Sequence, residues 1–285
     1  MTCTALEGPH GSRLVATELR KLLAFARRDF RVALSYRMSF VSDLVGIVGQ
    51  VVIFYFVGRL IDPAKLPRYG GTHVTYLQFA AIGIGVAVFV EFGLQHVSRA
   101  VRSEQLMGTL DSLLMTPTAW VTIQVGSVAF ELLFLLLRLT LFVVGITLVF
   151  GLDFHASGAL PAAVLMVAFF PFVWGLGVIA AAVVLTFRRG GGIVGLGSLA
   201  LALLSGLYFP TNLLPGWLAD AAAWNPLALT TNGIREALIS GAHWNSVASK
   251  LAVLAPASVG SLVLGALCFR VAMRRERRLG TLGLY

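Results

Sequence analysis

Long runs that are apolar on every helical face, separated by short charged connections, set the plan of this chain. Six of them cover residues 39–57, 76–94, 121–150, 160–187, 193–209 and 249–269. Each approaches or exceeds the roughly 20 apolar residues that cross a bilayer as a helix. The runs at 121–150 and 160–187 are Leu/Val/Ala-rich and lack the period-two alternation of a transmembrane β-barrel. An open sheet at that depth would leave edge N–H and C=O groups unpaired in hydrocarbon. The pattern therefore predicts an all-α polytopic membrane protein with six transmembrane helices. The third and fourth runs are longer than a crossing needs, which predicts tilt or extension beyond the hydrocarbon.

The segments between the runs predict the rest of the organisation. Residues 14–36 mix Leu19, Leu22, Leu23, Phe25 and Phe30 with Arg20, Lys21, Arg27, Arg28 and Arg31. Two readings stand: an amphipathic helix lying in the membrane interface, or a basic flank that only sets topology. The expected units are a cytoplasmic N-terminus at 1–38, one transmembrane domain at 39–272 and a basic cytoplasmic tail at 273–285. The largest inner connection is 99–120 and the largest outer one 210–245. The outer segment carries Leu213, Leu214, Trp217, Leu218 and Trp224, interrupted by Pro210, Pro215 and Pro226. It is too broken by proline to cross and too apolar to hang free, so a re-entrant segment between the fifth and sixth spans is expected.

Composition agrees with this plan. Hydrophobic residues make up 58% of the 285 and charged residues only 12%, against about 25% charged in soluble domains. The net charge of +9 is not gathered on a soluble face. It flanks the apolar runs, where anionic lipid is the better partner and nucleic acid is not expected. With the N-terminus inside, that side holds sixteen basic residues and the other five: Arg59, Lys65, Arg68, Arg235 and Lys250. The bias places both termini in the cytoplasm and the protein in the plasma membrane. No cleavable leader is expected, since charges interrupt the first 38 residues. Cys3 and Cys268 match no disulfide or metal spacing.

Little in the chain suggests catalysis, and no catalytic or metal-binding residues are expected. The lysines are Lys21, Lys65 and Lys250, and none follows a glycine, so a phosphate-cradling Gly-Lys-Ser/Thr loop is absent. Gly195, Gly197 and Ala200 fit a dinucleotide fingerprint on paper, but they lie in an apolar run and read as helix packing. Histidines at 10, 73, 96, 155 and 243 are scattered. Asp153 and His155 read as solvated loop residues. Charges within the spans are the sharper signal, because each costs roughly 2.5–3.5 kcal/mol at a helix centre. Glu131 and Arg138, seven residues apart, share a face of the third span. Glu91 lies in the second span, and Asp43 near one end of the first, where snorkelling relieves it. Two readings stand for the intramembrane charges: structural pairing, or a substrate path.

Two segments carry a family resemblance. In the inner loop Glu104, Gly108, Thr109, Leu110, Leu113, Leu114, Thr116 and Pro117 resemble the signature of type-2 ATP-binding-cassette permeases. In the outer segment Tyr208, Phe209, Pro210, Leu214, Pro215, Trp217, Leu218, Asn225, Pro226, Leu227 and Arg235 resemble that family's aromatic-Phe-Pro, Leu-Pro-x-Trp-Leu and Asn-Pro-Leu pattern with its downstream arginine. The resemblance covers roughly residues 20–270. It implies a permease that pairs with a second copy, as homodimer or heterodimer, and with two ATPase subunits that hold the ATP and Mg, this chain binding no cofactor itself. It also implies that the inner motif docks on the ATPase as a coupling helix. Where relatives often carry another acidic residue this chain has Leu106, which leaves Glu104 and Asp111 as the candidate contacts. The spacing agrees, for Leu110, Leu113 and Leu114 fall at i, i+3 and i+4 between Gly108 and Pro117. That face meets either a partner groove or the protein's own helix ends.

The expected function is an exporter permease for an amphipathic, drug-like or lipid-like substrate, resembling the drug-exporting branch. Polysaccharide or glycolipid export is the alternative, for which Phe169, Phe170, Phe172 and Trp174 in the fourth span would line a channel. An intramembrane enzyme or an ion channel has less support, as convergent catalytic groups and a polar pore pattern are missing.

Overall fold

The computed structural model describes residues 37–61, 66–69, 71, 74–107, 120–187, 190–241 and 244–279, with the backbone alone over parts of these, including 99–107 and 120–134. The described chain is all helical, with α1 Arg37–Gly58, α2 Tyr76–Met107, α3 Trp120–Phe150, α4 Ala159–Thr186, α5 Gly190–Leu204, α6 Gly216–Ala223, α7 Pro226–Ser240 and α8 Trp244–Leu279. Single 3-10 turns at Ala156–Gly158 and Thr211–Leu213 lead into α4 and α6. The segment 14–36 lies outside the described residues.

Each of the six expected spans overlaps a helix, the fifth only as far as Leu204. Three stretches are long and apolar enough to cross a membrane: Tyr76–Gln95 in α2, Ala156–Thr186 ending α4, and Trp244–Glu276 in α8. The described apolar stretches Val48–Gly58, Leu135–Phe150 and Gly190–Leu204 are shorter. The protein is thus an integral membrane protein built of helices. α8 begins at Trp244 and runs to Leu279, well beyond the apolar run 249–269 at both ends. α5 stops at Leu204, whereas the apolar pattern continues to 209. The difference has a local cause. Gly206 turns the backbone with φ of +66°, a conformation that side chains with a Cβ adopt poorly.

α4 is the axis of the bundle, packed against α8, α2, α7 and α5. Small residues let α8 approach it closely. A Cβ at Gly175 would stand 2.5 Å from the Ser261 carbonyl carbon, and one at Gly265 2.7 Å from the Gly175 carbonyl oxygen. Between helices that lipid tails cannot drive together, such close backbone contact is a main source of cohesion. Pro171 and Pro256 sit inside α4 and α8, where neighbouring helices accommodate the missing N–H. The core joins Phe79, Phe89 and Leu94 of α2 to Leu165, Phe169 and Val173 of α4 and to Leu227 and Ile234 of α7. A second cluster packs Val51 of α1 and Ile84 of α2 on Phe142 and Ile146 of α3.

Much of what would be surface in water is apolar here. Val45, Ile53 and Phe56 of α1, Leu148 of α3, Leu196 and Leu199 of α5, and Val259, Val263 and Leu267 of α8 are all exposed. Such a face is stable against lipid and not against water.

Candidate functional site

The outer segment folds into two short helices whose ends are written in the sequence. Asn225 caps α7, its side chain accepting the Leu227 N–H at 3.0 Å, and Pro226 occupies the first helical position. At the far end the Leu238 carbonyl accepts the His155 N–H at 2.8 Å, tying α7 to the connection between α3 and α4. Glu236 pairs with Lys250 of α8 at 2.6 Å, and the Ser246 hydroxyl donates to the same carboxylate oxygen at 3.0 Å. Burial pushes the Glu236 carboxyl up, but the hydrogen bonds from Lys250 and Ser246 and the lysine charge outweigh it, holding the group below its ordinary value.

The anchored α7 presents Arg235 to the interior. It is only 1% exposed, and no carboxylate pairs with it among the described residues. Its charge is met instead by carbonyl oxygens. Nη1 donates to Gly206 O at 2.9 Å, Nη2 to Leu207 O at 2.8 Å, and Nε and Nη2 to Phe79 O at 3.3 and 3.2 Å. The Phe79 ring lies 3.5 Å from the guanidinium carbon, a cation–π contact. Gly206 and Leu207 lie beyond the end of α5 in buried, non-helical backbone, whose carbonyls no helix ladder satisfies. A planar five-donor cation is the side chain that can satisfy several of them together. Tyr69 completes the node, donating to Asn232 Oδ1 at 2.9 Å. Burial pushes the Tyr69 hydroxyl above its ordinary value, so it remains a donor.

This node pins the chain between α5 and α6. Gly83 of α2 is part of the fit, since a Cβ there would stand 1.8 Å from Leu207 O. On the other side of the strap the Tyr76 hydroxyl donates to Tyr208 O at 3.0 Å, and the Tyr208 ring stacks on Phe54 of α1 at 5.3 Å. Two clefts flank it. One is lined by Pro67, Tyr69, Phe79, Pro210, Asn212 and Asn232. The other, of about 300 Å³, lies between α1, α2, α5 and the strap and is lined by Gln50, Val88, Glu91, Ser198, Ala202 and Tyr208.

The sequence-derived candidates distribute unevenly over this frame. Arg235 counts among the outward-side basic residues in the charge pattern, yet it is a buried tie. Pro210 is buried, Leu214, Asn225 and Pro226 are partly buried, and Phe209, Pro215 and Trp217 are exposed. Glu91 is exposed, receives a hydrogen bond from Gln95 Nε2 and borders the cleft between α1, α2 and α5. Arg138 is partly buried on α3, whereas the Glu131 side chain lies outside the described residues. In the inner motif the backbone of Glu104 continues α2 to Met107. Gly108, Thr109, Leu110, Asp111, Leu113, Leu114 and Pro117 lie outside the described residues. Charge reasoning missed Gln50 and Ser198; their signal was polarity inside apolar runs. Phe169 is fully buried and stacks with Phe89 and Phe172, and Phe170 packs on Trp174. None of these four aromatics lines either cleft.

No curated protein matches the chain. The ABC-2 type transporter family model matches residues 20–239, a stretch that holds the inner motif, α1 to α6 and nearly all of α7. With a helical membrane bundle and a match over most of its length, the chain belongs to the ABC-2 type transporter family and is a permease subunit of an ABC transporter, a class that works with ABC ATPase subunits.

Proposed function

We propose that this permease is the transmembrane half of an exporter. Two copies would carry an amphipathic substrate across the plasma membrane, driven by ATP and Mg bound in separate ATPase subunits. The observation that carries this reading is the family match over residues 20–239. The physical arrangement supports it: a cleft between apolar helices beside a strap that one buried arginine ties to α2 and α7. The outer segment would dip into the outer leaflet, with Trp217, Trp224 and Trp244 exposed where indole rings favour the interface. The segment 108–117 would be the coupling helix, and residues 14–36 would lie along the inner interface.

The test is co-expression with ATP-binding-cassette ATPase subunits, followed by reconstitution into liposomes. The wild-type chain should co-purify with an ATPase, and ATP should drive export of amphipathic dyes. Glu104→Lys inverts charge at the partner surface and Gly108→Pro breaks the start of the coupling helix. Both variants should insert and dimerise while transport falls. Normal transport with normal ATPase stimulation in both would remove the coupling assignment, and failure to associate with any ATPase would remove the exporter reading.

A further inference from the structure

Among the described residues, the cleft between α1, α2, α5 and the strap is lined by a carboxylate and by no basic residue. Its described lining holds the Glu91 side chain, the Gln50 amide, the Ser198 hydroxyl and the Tyr208 ring, with Ala87, Val88, Val90, Ala202 and Leu207 completing an apolar wall. Gln95 occupies part of the hydrogen-bonding capacity of Glu91, but a carboxylate accepts about four hydrogen bonds. Among the described residues no cation pairs with it. The Ser198 Oγ is buried without a hydrogen-bond partner. Gln50, Ser198 and Tyr208 line the same cleft as Glu91, although they come from α1, α5 and the strap. The polar groups therefore converge on one space. Glu91 lies within the apolar stretch Tyr76–Gln95, where a charge is retained only if it faces a partner or a wet cavity.

We propose that this cleft, bounded by α1, α2, α5 and the strap, binds the positively charged end of an amphipathic organic cation, with Glu91 as its counter-charge. The Tyr208 face receives the cation or an adjoining ring, Gln50 and Ser198 bond the polar atoms beside it, and the apolar wall takes the hydrophobic body. Its volume of about 300 Å³ stands at the lower end of small-molecule sites, enough for one compact ring system. The sign of the site discriminates against sugar phosphates and anionic headgroups, which would meet an unneutralised carboxylate. This inference rests on the exporter reading and narrows its substrate to one chemical class.

The test is equilibrium binding of radiolabelled tetraphenylphosphonium to the purified full-length chain in nanodiscs, with the neutral dye Nile red as a second probe. Glu91→Gln should weaken tetraphenylphosphonium binding about tenfold or more, as a charge-assisted contact is lost, and leave Nile red binding within about twofold. Glu91→Asp should keep part of the affinity. Should Glu91→Gln fail to fold, Gln50→Lys sets a fixed ammonium beside the carboxylate and should exclude the phosphonium to the same degree. Equal phosphonium affinity in wild type and in whichever of these variants folds would overturn the proposal. So would a wild-type chain that binds Nile red or an anionic amphipath but not the phosphonium. ATPase association and dye export are measured separately, so such a result would discard the cation class and leave the exporter reading standing.

Discussion

A buried arginine without a carboxylate is expensive unless every donor finds an acceptor. Arg235 meets that condition by drawing on the carbonyls of Phe79, Gly206 and Leu207, on Asn232 Oδ1 and on the Phe79 ring. Removing it would take the donor from the buried Gly206 and Leu207 carbonyls and open a cavity beneath α7. Arg235→Ala is therefore expected to destabilise the protein by about 3 kcal/mol or more. Arg235→Lys should recover only part of this, because an ammonium cannot span the same acceptors as a planar fork. Thermal unfolding followed by size-exclusion in detergent reads both. Equal melting of Arg235→Ala and wild type would mean that the strap is held by its other contacts.

At the scale of the element, α3 combines Arg138 with Glu131 one pair of turns earlier on the same face. Arg138 is partly withdrawn from the surface, as an intramembrane charge must be. If the two residues compensate each other, neutralising either alone should cost more stability than neutralising both. The expected coupling is about 0.5–3 kcal/mol in a double-mutant cycle of Glu131→Gln and Arg138→Gln. Thermal stability and transported substrate range are scored separately in that cycle. Retained assembly with a changed substrate range would instead assign the pair to the transport path. Additive losses with an unchanged range would leave them as individually solvated charges.

For the whole molecule, α8 separates the two ends of the bundle. Its start at Trp244 follows α7, while Arg275 stands near its other end, about 46 Å along the axis. Arg68 adjoins Tyr69 of the Arg235 node at the α7 end. The basic-residue bias assigns that end to the outside. With Cys3 and Cys268 replaced by serine, a cysteine at 68 should react with an impermeant maleimide on intact cells, and one at 275 only after permeabilisation. Labelling of position 275 from outside would invert the orientation.

The helical class and the positions of the helices were legible in the chain because lipid demands it: a segment apolar on all faces has few options other than a membrane helix. Family membership was legible too, in motifs whose order survives without any structure. The ends of α7 could be read from Asn225, Pro226 and Gly241, since capping is local chemistry. What the linear pattern did not contain was the fate of single polar residues. Arg235 counts identically in a charge tally whether solvated or buried, and only the convergence of α2, α7 and the end of α5 makes it a tie. For the same reason α5 ends at Leu204 although apolarity continues: Gly206 turns the chain and Arg235 binds its carbonyls. Glu91, Gln50 and Ser198 lie on three helices far apart in sequence, and tertiary packing alone decided that they border one cleft. Apolarity is a property of a segment and is read locally, whereas pairing and cavities belong to distances between segments, which packing determines.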